Sequence, residues 1–268
     1  MTRCEQIGEA TLYLADCADI LPTYEKSIDA VVTSPPYDAI RDYGTQGARP
    51  LECIPLIAAL PRPGGVIVWN VADQTIDGSE TGSSFEQALA FKAEGLRIHD
   101  TMIYCKEGVT FPDSNRYHPS FEFMFVFSNG APSHFNGIKD WRNKWVGNSK
   151  VSTDRYPDGT TRVRQGRPVQ SEGLRRNWWI IANPYTGETA GHPAPMPYTL
   201  AADHIFTWTD MQETVFDPFM GSGTAGVAAL RLGRKFVGVE IEPRYFEIAL
   251  RRVEEASRQL DLFTVSQM

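Results

Sequence analysis

The chain is poor in the features that mark several specialised protein classes. Its four cysteines, Cys4, Cys17, Cys53 and Cys105, are scattered with no Cys-x-x-Cys pair. That excludes a disulfide scaffold and argues against zinc, so free thiols in a reducing cytoplasm are expected. No apolar run reaches the ~18 residues that a membrane helix needs. The start, Met1-Thr2-Arg3-Cys4-Glu5, lacks the apolar stretch of a secretion signal. No Gly-Lys-Ser/Thr triplet is present, which excludes a Walker-type phosphate loop. Positive charge is in deficit, with 26 Lys and Arg against 33 Asp and Glu and a net charge of −7. What remains is ordinary: 268 residues, 42% hydrophobic and 22% charged, enough for one large domain or a domain with an insert.

The charge is unevenly placed. Between Phe135 and Ile180 stand ten basic residues, Lys139, Arg142, Lys144, Lys150, Arg155, Arg162, Arg164, Arg167, Arg175 and Arg176, against four acids. This segment is therefore net positive by six and the remainder net negative by thirteen. A basic island on an acidic body suggests one face built for a polyanion. The island is rich in Gly, Asn, Ser and Thr and holds Trp141, Trp145, Trp178 and Trp179. Its weak periodicity predicts an irregular insert, with one of the pair Trp178–Trp179 in the core where the insert rejoins the body.

Elsewhere, short apolar runs alternate with amphipathic stretches. Strands are expected at 10–15, 28–33, 66–69, 98–105, 121–127, 214–216 and 235–239. Helices are expected at 51–60, 84–94 (capped by Ser83 or Ser84), 198–208 and 224–232, with a last one from Pro243. This alternation predicts an α/β protein with a mainly parallel sheet and helices on both faces. Ligands of such sheets lie at the carboxyl ends of the strands.

Three clusters fall at such ends. Asp217-Pro218-Phe219-Met220-Gly221-Ser222-Gly223-Thr224 follows a strand and opens a helix. Its glycines allow close backbone approach to a ligand. Glu240 ends the next strand, where a carboxylate can accept hydrogen bonds from two ribose hydroxyls. No lysine or arginine stands at the helix start, so an adenosyl group without phosphates fits better than a nucleotide. Taken alone, the octapeptide is also compatible with a plain tight turn capped by Thr224. The second cluster is Thr33-Ser34-Pro35-Pro36-Tyr37. The prolines stiffen the backbone, Ser34 and the Ser34 and Pro35 carbonyls offer acceptors, and Tyr37 offers a flat face. That array suits an exocyclic amine on a planar ring, although a rigid surface turn would read the same way. The third cluster is Asp16-Cys17.

With these motifs in this order, the chain resembles the amino-group DNA methyltransferases. Their catalytic motif is matched by Thr33 to Tyr37, their cofactor motif by Phe216 to Thr224, and the acidic strand end by Val237-Gly-Val-Glu240. Gly191-His-Pro-Ala-Pro-Met-Pro197, Leu14 to Leu21 and Ser120 to Phe127 are similar to flanking segments of the family. The catalytic motif precedes the cofactor motif, which is the permuted order of the β group. The resemblance implies a Rossmann-like, S-adenosylmethionine-dependent catalytic domain over 1–134 and 181–268, with 135–180 as a small target-recognition insert.

The resemblance also assigns roles. Ser34, Pro35, Pro36 and Tyr37 are expected to be catalytic. Asp16, Cys17, Asp217, Pro218, Phe219, Gly221, Gly223, Thr224 and Glu240 are expected to bind the cofactor, with His192 either beside them or merely structural. Lys139, Arg142, Lys144, Arg162, Arg164, Arg167, Arg175 and Arg176 are expected to contact double-stranded DNA. The implied reaction is direct methyl transfer to the amine of an extruded base, in a bacterial or phage-infected cell and often within a restriction-modification system. Ser34, where many adenine enzymes carry Asp or Asn, leans toward cytosine N4, with adenine N6 the alternative. Cytosine C5 chemistry is disfavoured, because it needs a nucleophilic cysteine after a proline and no Pro-Cys occurs. Two rivals stay open: a methyltransferase acting on RNA or a protein amide, and an inactive DNA-binding homologue. At the tail, Gln259-Leu-Asp-Leu-Phe263 is similar to the pentapeptide with which bacterial proteins bind the replication sliding clamp. A homodimer is a further expectation from the group.

Overall fold

A computed structural model describes residues 2–36, 50–107, 115–182 and 195–265. It divides into two compact units, residues 1–136 with 177–268, and Gly137–Arg176.

The larger unit is built on one nine-stranded sheet. In chain order its elements are β1 (Arg3–Ile7), β2 (Ala10–Leu14), α1 (Cys17–Ile20), β3 (Ile28–Thr33), α2 (Pro50–Ala58) and β4 (Pro61–Val71), then a ribbon of β5 (Thr75–Ile76) and β6 (Ser79–Glu80). There follow α3 (Ser83–Ala93), β7 (Arg97–Lys106) and β8 (Phe121–Ser128). Beyond the smaller unit, whose strands are β9 (Lys139–Arg142), β10 (Ser149–Arg155), β11 (Thr161–Pro168) and β12 (Glu172–Leu174), come β13 (Trp178–Ile181), α4 (Tyr198–Trp208), β14 (Thr214–Asp217), α5 (Thr224–Arg231), β15 (Lys235–Glu240) and α6 (Pro243–Val265).

The sheet order is β1-β2-β15-β14-β3-β4-β8-β7-β13. Five of its eight pairings are parallel, and the antiparallel ones are β1–β2, β4–β8 and β7–β8. Alternation along each strand supplies both faces. Ala30, Val32, Val66, Val68, Met124 and Val126 meet Leu200, Ile205, Ala228, Phe246 and Val253 of α4, α5 and α6. Val31, Ile67, Trp69, Phe125, Phe127 and Phe216 meet Ile54, Ile57, Ala88 and Phe91 of α2 and α3. Each large side chain buried this way contributes about 1.5–3 kcal/mol, which offsets the ordering of the chain. Because β8 runs against its neighbours, its first residues lie at the edge where β3, β4 and β7 end.

Two local expectations need correction. Ser83 and Ser84 do not cap α3: the N-cap is Gly82, and the Asp73 carboxylate accepts from Ser84 N at 2.9 Å. A carboxylate from outside the helix satisfies an end donor that no local side chain reaches. By contrast α5 begins at Thr224 as expected, with Gly223 as its N-cap. The basic island is not irregular. Its strands form two antiparallel ribbons, β10–β11 and β9–β12. A two-stranded ribbon buries no continuous face, so it imposes little apolar alternation on its sequence.

Candidate active site at the carboxyl edge of the sheet

The strand β14 ends on Asp217, whose side chain is buried. One carboxylate oxygen, Oδ1, accepts from Thr33 Oγ1 at 2.6 Å and from Phe219 N at 3.1 Å. The first of these bonds joins the ends of β14 and β3, 184 residues apart in the chain. Burial pushes the Asp217 carboxyl up to about 7, Glu240 adds to the rise, and the two hydrogen bonds oppose it.

The turn after Asp217 runs through Gly221 and Gly223, both at positive φ (51° and 77°). At Gly223 the glycine is required twice. Its backbone is left-handed, and a Cβ would lie 2.9 Å from Ala249 Cβ and 3.0 Å from Ala249 Cα on α6. Arg252, also on α6, donates through Nη1 to Ser222 O at 2.5 Å, Ser222 Oγ at 3.2 Å and Thr224 Oγ1 at 3.2 Å. The turn is thus clamped from behind.

Glu240 at the end of β15 faces the same turn. Its Oε2 accepts from Gly221 N and its Oε1 from Glu242 N, both at 2.8 Å. Burial raises this carboxyl, against the pull of those backbone donors. A cleft is lined by Ser34, Pro195, Met196, Asp217, Phe219, Met220, Gly221, Ser222, Thr224 and Ala225. Ser34 thereby meets the Asp217–Thr224 turn in one cavity.

The other expected residues are placed as follows. Pro35 is buried and Pro36 half-buried just beyond β3. Pro218 and Gly223 are buried behind the cleft wall. Asp16 is exposed and caps α1, accepting from Ala18 N at 2.9 Å. The end of β2 is tied to β15 by Ala15 N donating to Glu240 O at 3.0 Å. Cys17 is buried with its Sγ 3.7 Å from Cys53 Sγ. Tyr37 and His192 lie outside the described residues.

Sequence reasoning missed Thr33 as an anchor, Arg252 as a clamp, and Pro195 and Met196 as cleft walls. Arg252 is one basic residue among several on a long amphipathic helix, and nothing in the sequence distinguishes it.

No lysine or arginine lines the cleft among the described residues. A buried Asp217 on the wall, a buried Glu240 bonded to the same turn and a wall without cations fit an adenosyl ligand that carries positive charge and no phosphate. They do not fit a nucleotide polyanion.

In the smaller unit, Arg175 donates to Asp140 Oδ2 from Nε at 2.8 Å and Nη2 at 2.5 Å. This arginine holds the Asp140 carboxyl below its usual range. Arg176 lies 4.8 Å over the Trp141 ring and Arg162 5.4 Å over the Tyr156 ring. Lys139, Arg142, Lys144, Arg162, Arg167 and Arg176 are exposed, and Trp145 is 60% exposed. The Arg164 side chain lies outside the described residues. In the larger unit, at the return into the sheet, Trp179 is buried on β13 while Trp178 is 43% exposed.

Comparison with known proteins places this site in context. A family model described as "DNA methylase" matches residues 28–251. The orphan methyltransferase M.BamHII of Bacillus amyloliquefaciens is 43% identical over 236 residues, covering 85% of this chain and 89% of that protein. Among solved structures, the M1.HpyAVI–SAM complex superposes with a TM-score of 0.63 at 25% identity, covering 91% of this chain and 99% of that one. The cytosine-N4-specific PvuII DNA methyltransferase superposes with a TM-score of 0.68 at 18% identity, covering 95% and 92%, a likeness of fold.

Proposed function

The chain belongs to the DNA methylase family, which uses S-adenosylmethionine to methylate an exocyclic base amine, and from that premise we propose that it acts on N4 of cytosine through Ser34. The observation that carries this reading is the shared cleft. The Ser34 hydroxyl and the Asp217–Thr224 turn line one cavity, so an amine held by Ser34 lies beside whatever the turn binds.

An exocyclic base amine is conjugated with its ring and is a weak nucleophile. Extruding its nucleotide from the duplex costs a few kcal/mol. Ser34 Oγ and the Pro35 carbonyl accept the two amine protons and rotate the lone pair toward the cleft. Tyr37 stacks on the ring. Glu240 accepts from the ribose hydroxyls, and the Gly221–Thr224 turn with Phe219, Met196 and Pro195 encloses the rest of the adenosyl ligand. Asp16 and Cys17 border its adenine. When bound, S-adenosylmethionine supplies an electrophilic methyl group on a sulfonium. The protein's contribution is chiefly proximity and orientation. No general base is required, because the methylated amine carries a strongly acidic extra proton. N4 is favoured over N6 by the serine at the first motif position.

The smaller unit, Gly137–Arg176, is the DNA-reading unit in this proposal. Its exposed lysines and arginines contact phosphates, while Arg175 and Arg176, held by Asp140 and Trp141, keep the ribbon in shape. We also propose that Gln259–Phe263, helical within α6, docks on a bacterial sliding clamp. Unchanged clamp capture after Leu262→Ala with Phe263→Ala overturns that part.

The test of the main reading is incubation with unmethylated DNA and labelled S-adenosylmethionine, followed by nucleoside mass spectrometry. N4-methylcytosine is expected. N6-methyladenine overturns the base assignment, and no methylated nucleoside despite cofactor binding overturns DNA as the substrate.

A further inference from the structure

A second polar constellation lies on the same sheet edge, on the side away from Glu240. On β3, Ala30 and Val32 point into the core under α4, and Ser34 follows two residues later. The same step of two leads from Val66 and Val68 to Asn70 on β4, from Met102 and Tyr104 to Lys106 on β7, and back from Val126 and Met124 to Glu122 on β8. Successive residues of a strand alternate between faces, so Ser34, Asn70, Glu122 and Lys106 share one face. All four stand at the carboxyl edge of β3, β4 and β7, because β8 is antiparallel and begins there. Thr33 of β3 is paired with Trp69 of β4, so Ser34 and Asn70 are the next positions along two adjacent strands.

Three of the four are tied together. Asn70 Nδ2 donates to Glu122 Oε2 at 2.6 Å, and Lys106 Nζ lies 2.5 Å from Glu122 Oε1. Asn70 is 2% exposed and Glu122 7%. Burial, with Glu122 alongside, pushes the nearby Tyr104 hydroxyl up to about 12, which keeps that neighbour neutral. A buried carboxylate bound to an ammonium on one side can face only a donor on the other. The Asn70 carboxamide is therefore fixed with its NH2 group toward Glu122 rather than flipped.

The position of this row has a chemical consequence. Sheet order β15-β14-β3-β4 puts the ribose-binding acid at one end, Ser34 in the middle, and Asn70 beyond it. Asn70 thus stands on the side of Ser34 away from the cofactor turn, the side left open for the ring of a base held by its amine at Ser34. Beside the amine, both cytosine and adenine carry an unprotonated ring nitrogen that accepts one hydrogen bond. We infer that Asn70 orients the extruded base by donating from Nδ2 to that ring nitrogen, and that Glu122 and Lys106 are positioning residues that fix its carboxamide. The inference rests on the reading of Ser34 as the amine-binding residue.

The test uses the full-length enzyme in excess over unmethylated plasmid DNA, so that single-turnover methyl transfer is read separately from cofactor binding. Asn70→Ala leaves the Glu122–Lys106 pair in place and is expected to slow transfer about 100-fold, the cost of one lost active-site donor, while S-adenosylmethionine affinity is unchanged. The exchange Asn70→Asp with Glu122→Gln keeps one carboxylate and one carboxamide under Lys106, with the donor reversed. It should recover thermal stability relative to Asn70→Asp alone, yet remain slow. Recovery of the rate together with the stability shows a merely structural network and overturns the inference. So does a wild-type rate in Asn70→Ala. Ser34→Ala is run alongside: full activity there removes the reading of the site and this inference with it, whereas a dead Ser34→Ala beside an active Asn70→Ala removes only the inference.

Discussion

Replacing Asp217 by Asn should make the ligand-free protein more stable at alkaline pH. In the native protein the Asp217 carboxyl titrates at about 7, raised from an ordinary 3.8 chiefly by burial. Between those two values the native state holds a proton that the unfolded chain has released. The group's contribution is therefore most favourable below about pH 4, declines as pH rises, and is fully lost above about pH 7. At 1.36 kcal/mol per pH unit, the loss across that window is about 4 kcal/mol. Asparagine keeps an oxygen to accept from Thr33 Oγ1 and Phe219 N and has no charge to bury. For a chain of this size, 4 kcal/mol corresponds to a Tm difference of roughly 10 °C. The assay is calorimetric melting of both proteins without ligand from pH 5 to pH 9, plotting the difference in Tm. The Asn variant should gain steadily through pH 5–7 and level off above. A difference that is flat with pH, or that favours wild type at pH 9, refutes the reasoning. The variant should also bind S-adenosylmethionine more weakly, since it lacks the anion on the wall of the cleft proposed to hold this cationic ligand. A carboxylate kept at such a cost to stability is one retained for function.

Three other perturbations act on separate parts of the machinery. Glu240→Gln removes the charge proposed to face the ribose and turns one of two acceptors, for Gly221 N and Glu242 N, into a donor; cofactor affinity by titration calorimetry should fall about 10–100-fold, from two weakened hydrogen bonds. Gly223→Ala drives a Cβ to 2.9 Å from Ala249 Cβ at a φ of 77°, and should lower the Tm and abolish cofactor binding together, whereas a Tm within a degree of wild type contradicts the packing argument. Replacing exposed Lys139, Arg142 and Lys144 by Ala should reduce the salt dependence of DNA affinity, flattening the slope of log K against log salt by about 0.9 per lost phosphate contact, with no change in cofactor affinity.

Much of the catalytic frame was legible because it is written in runs that only one structure satisfies. Ile28–Thr33 and Lys235–Glu240 are apolar, β-branched and bounded by turns, which suits strands covered on both faces. Their ends carry Ser34 and Glu240, so strand placement and site placement are one inference. The edge strand β1 escaped notice because Arg3–Ile7 is mostly polar and gains its structure from pairing with β2. The ribbon β5–β6 had a local signal, Asp77-Gly78 with φ of 49° and 80°, a hairpin turn too short to register as strands. Asn70, Glu122 and Lys106 were hidden for the opposite reason. Each ends or begins an apolar run and reads there as a boundary, and only the antiparallel course of β8 brings the three together. Arg252 and Thr33 likewise gain meaning from partners far away in the chain.

The buried acid on the cleft wall, Asp217, implies a pH-dependent preference between substrate and product. Methyl transfer converts a sulfonium into a neutral thioether, while the protein's own charges remain. Asp217, pushed up to about 7, changes its charge near neutrality, and Glu240 shares the field. For charges lodged in one cleft within about 8 Å and at an effective dielectric near 20, the attraction is about 2 kcal/mol, or roughly thirtyfold in affinity. It operates on the sulfonium and not on the thioether. As pH rises from 6 to 8, S-adenosylmethionine should therefore gain affinity relative to S-adenosylhomocysteine by up to that factor, with proton release on binding near neutrality. Calorimetric titrations of both ligands in buffers of different ionisation enthalpy read the affinity ratio and the released proton together. In Asp217→Asn both effects should vanish. A ratio that stays pH-dependent in that variant would place the titrating charge elsewhere, and Glu240, the buried acid bonded to Gly221 N of the turn, would be the group to replace next.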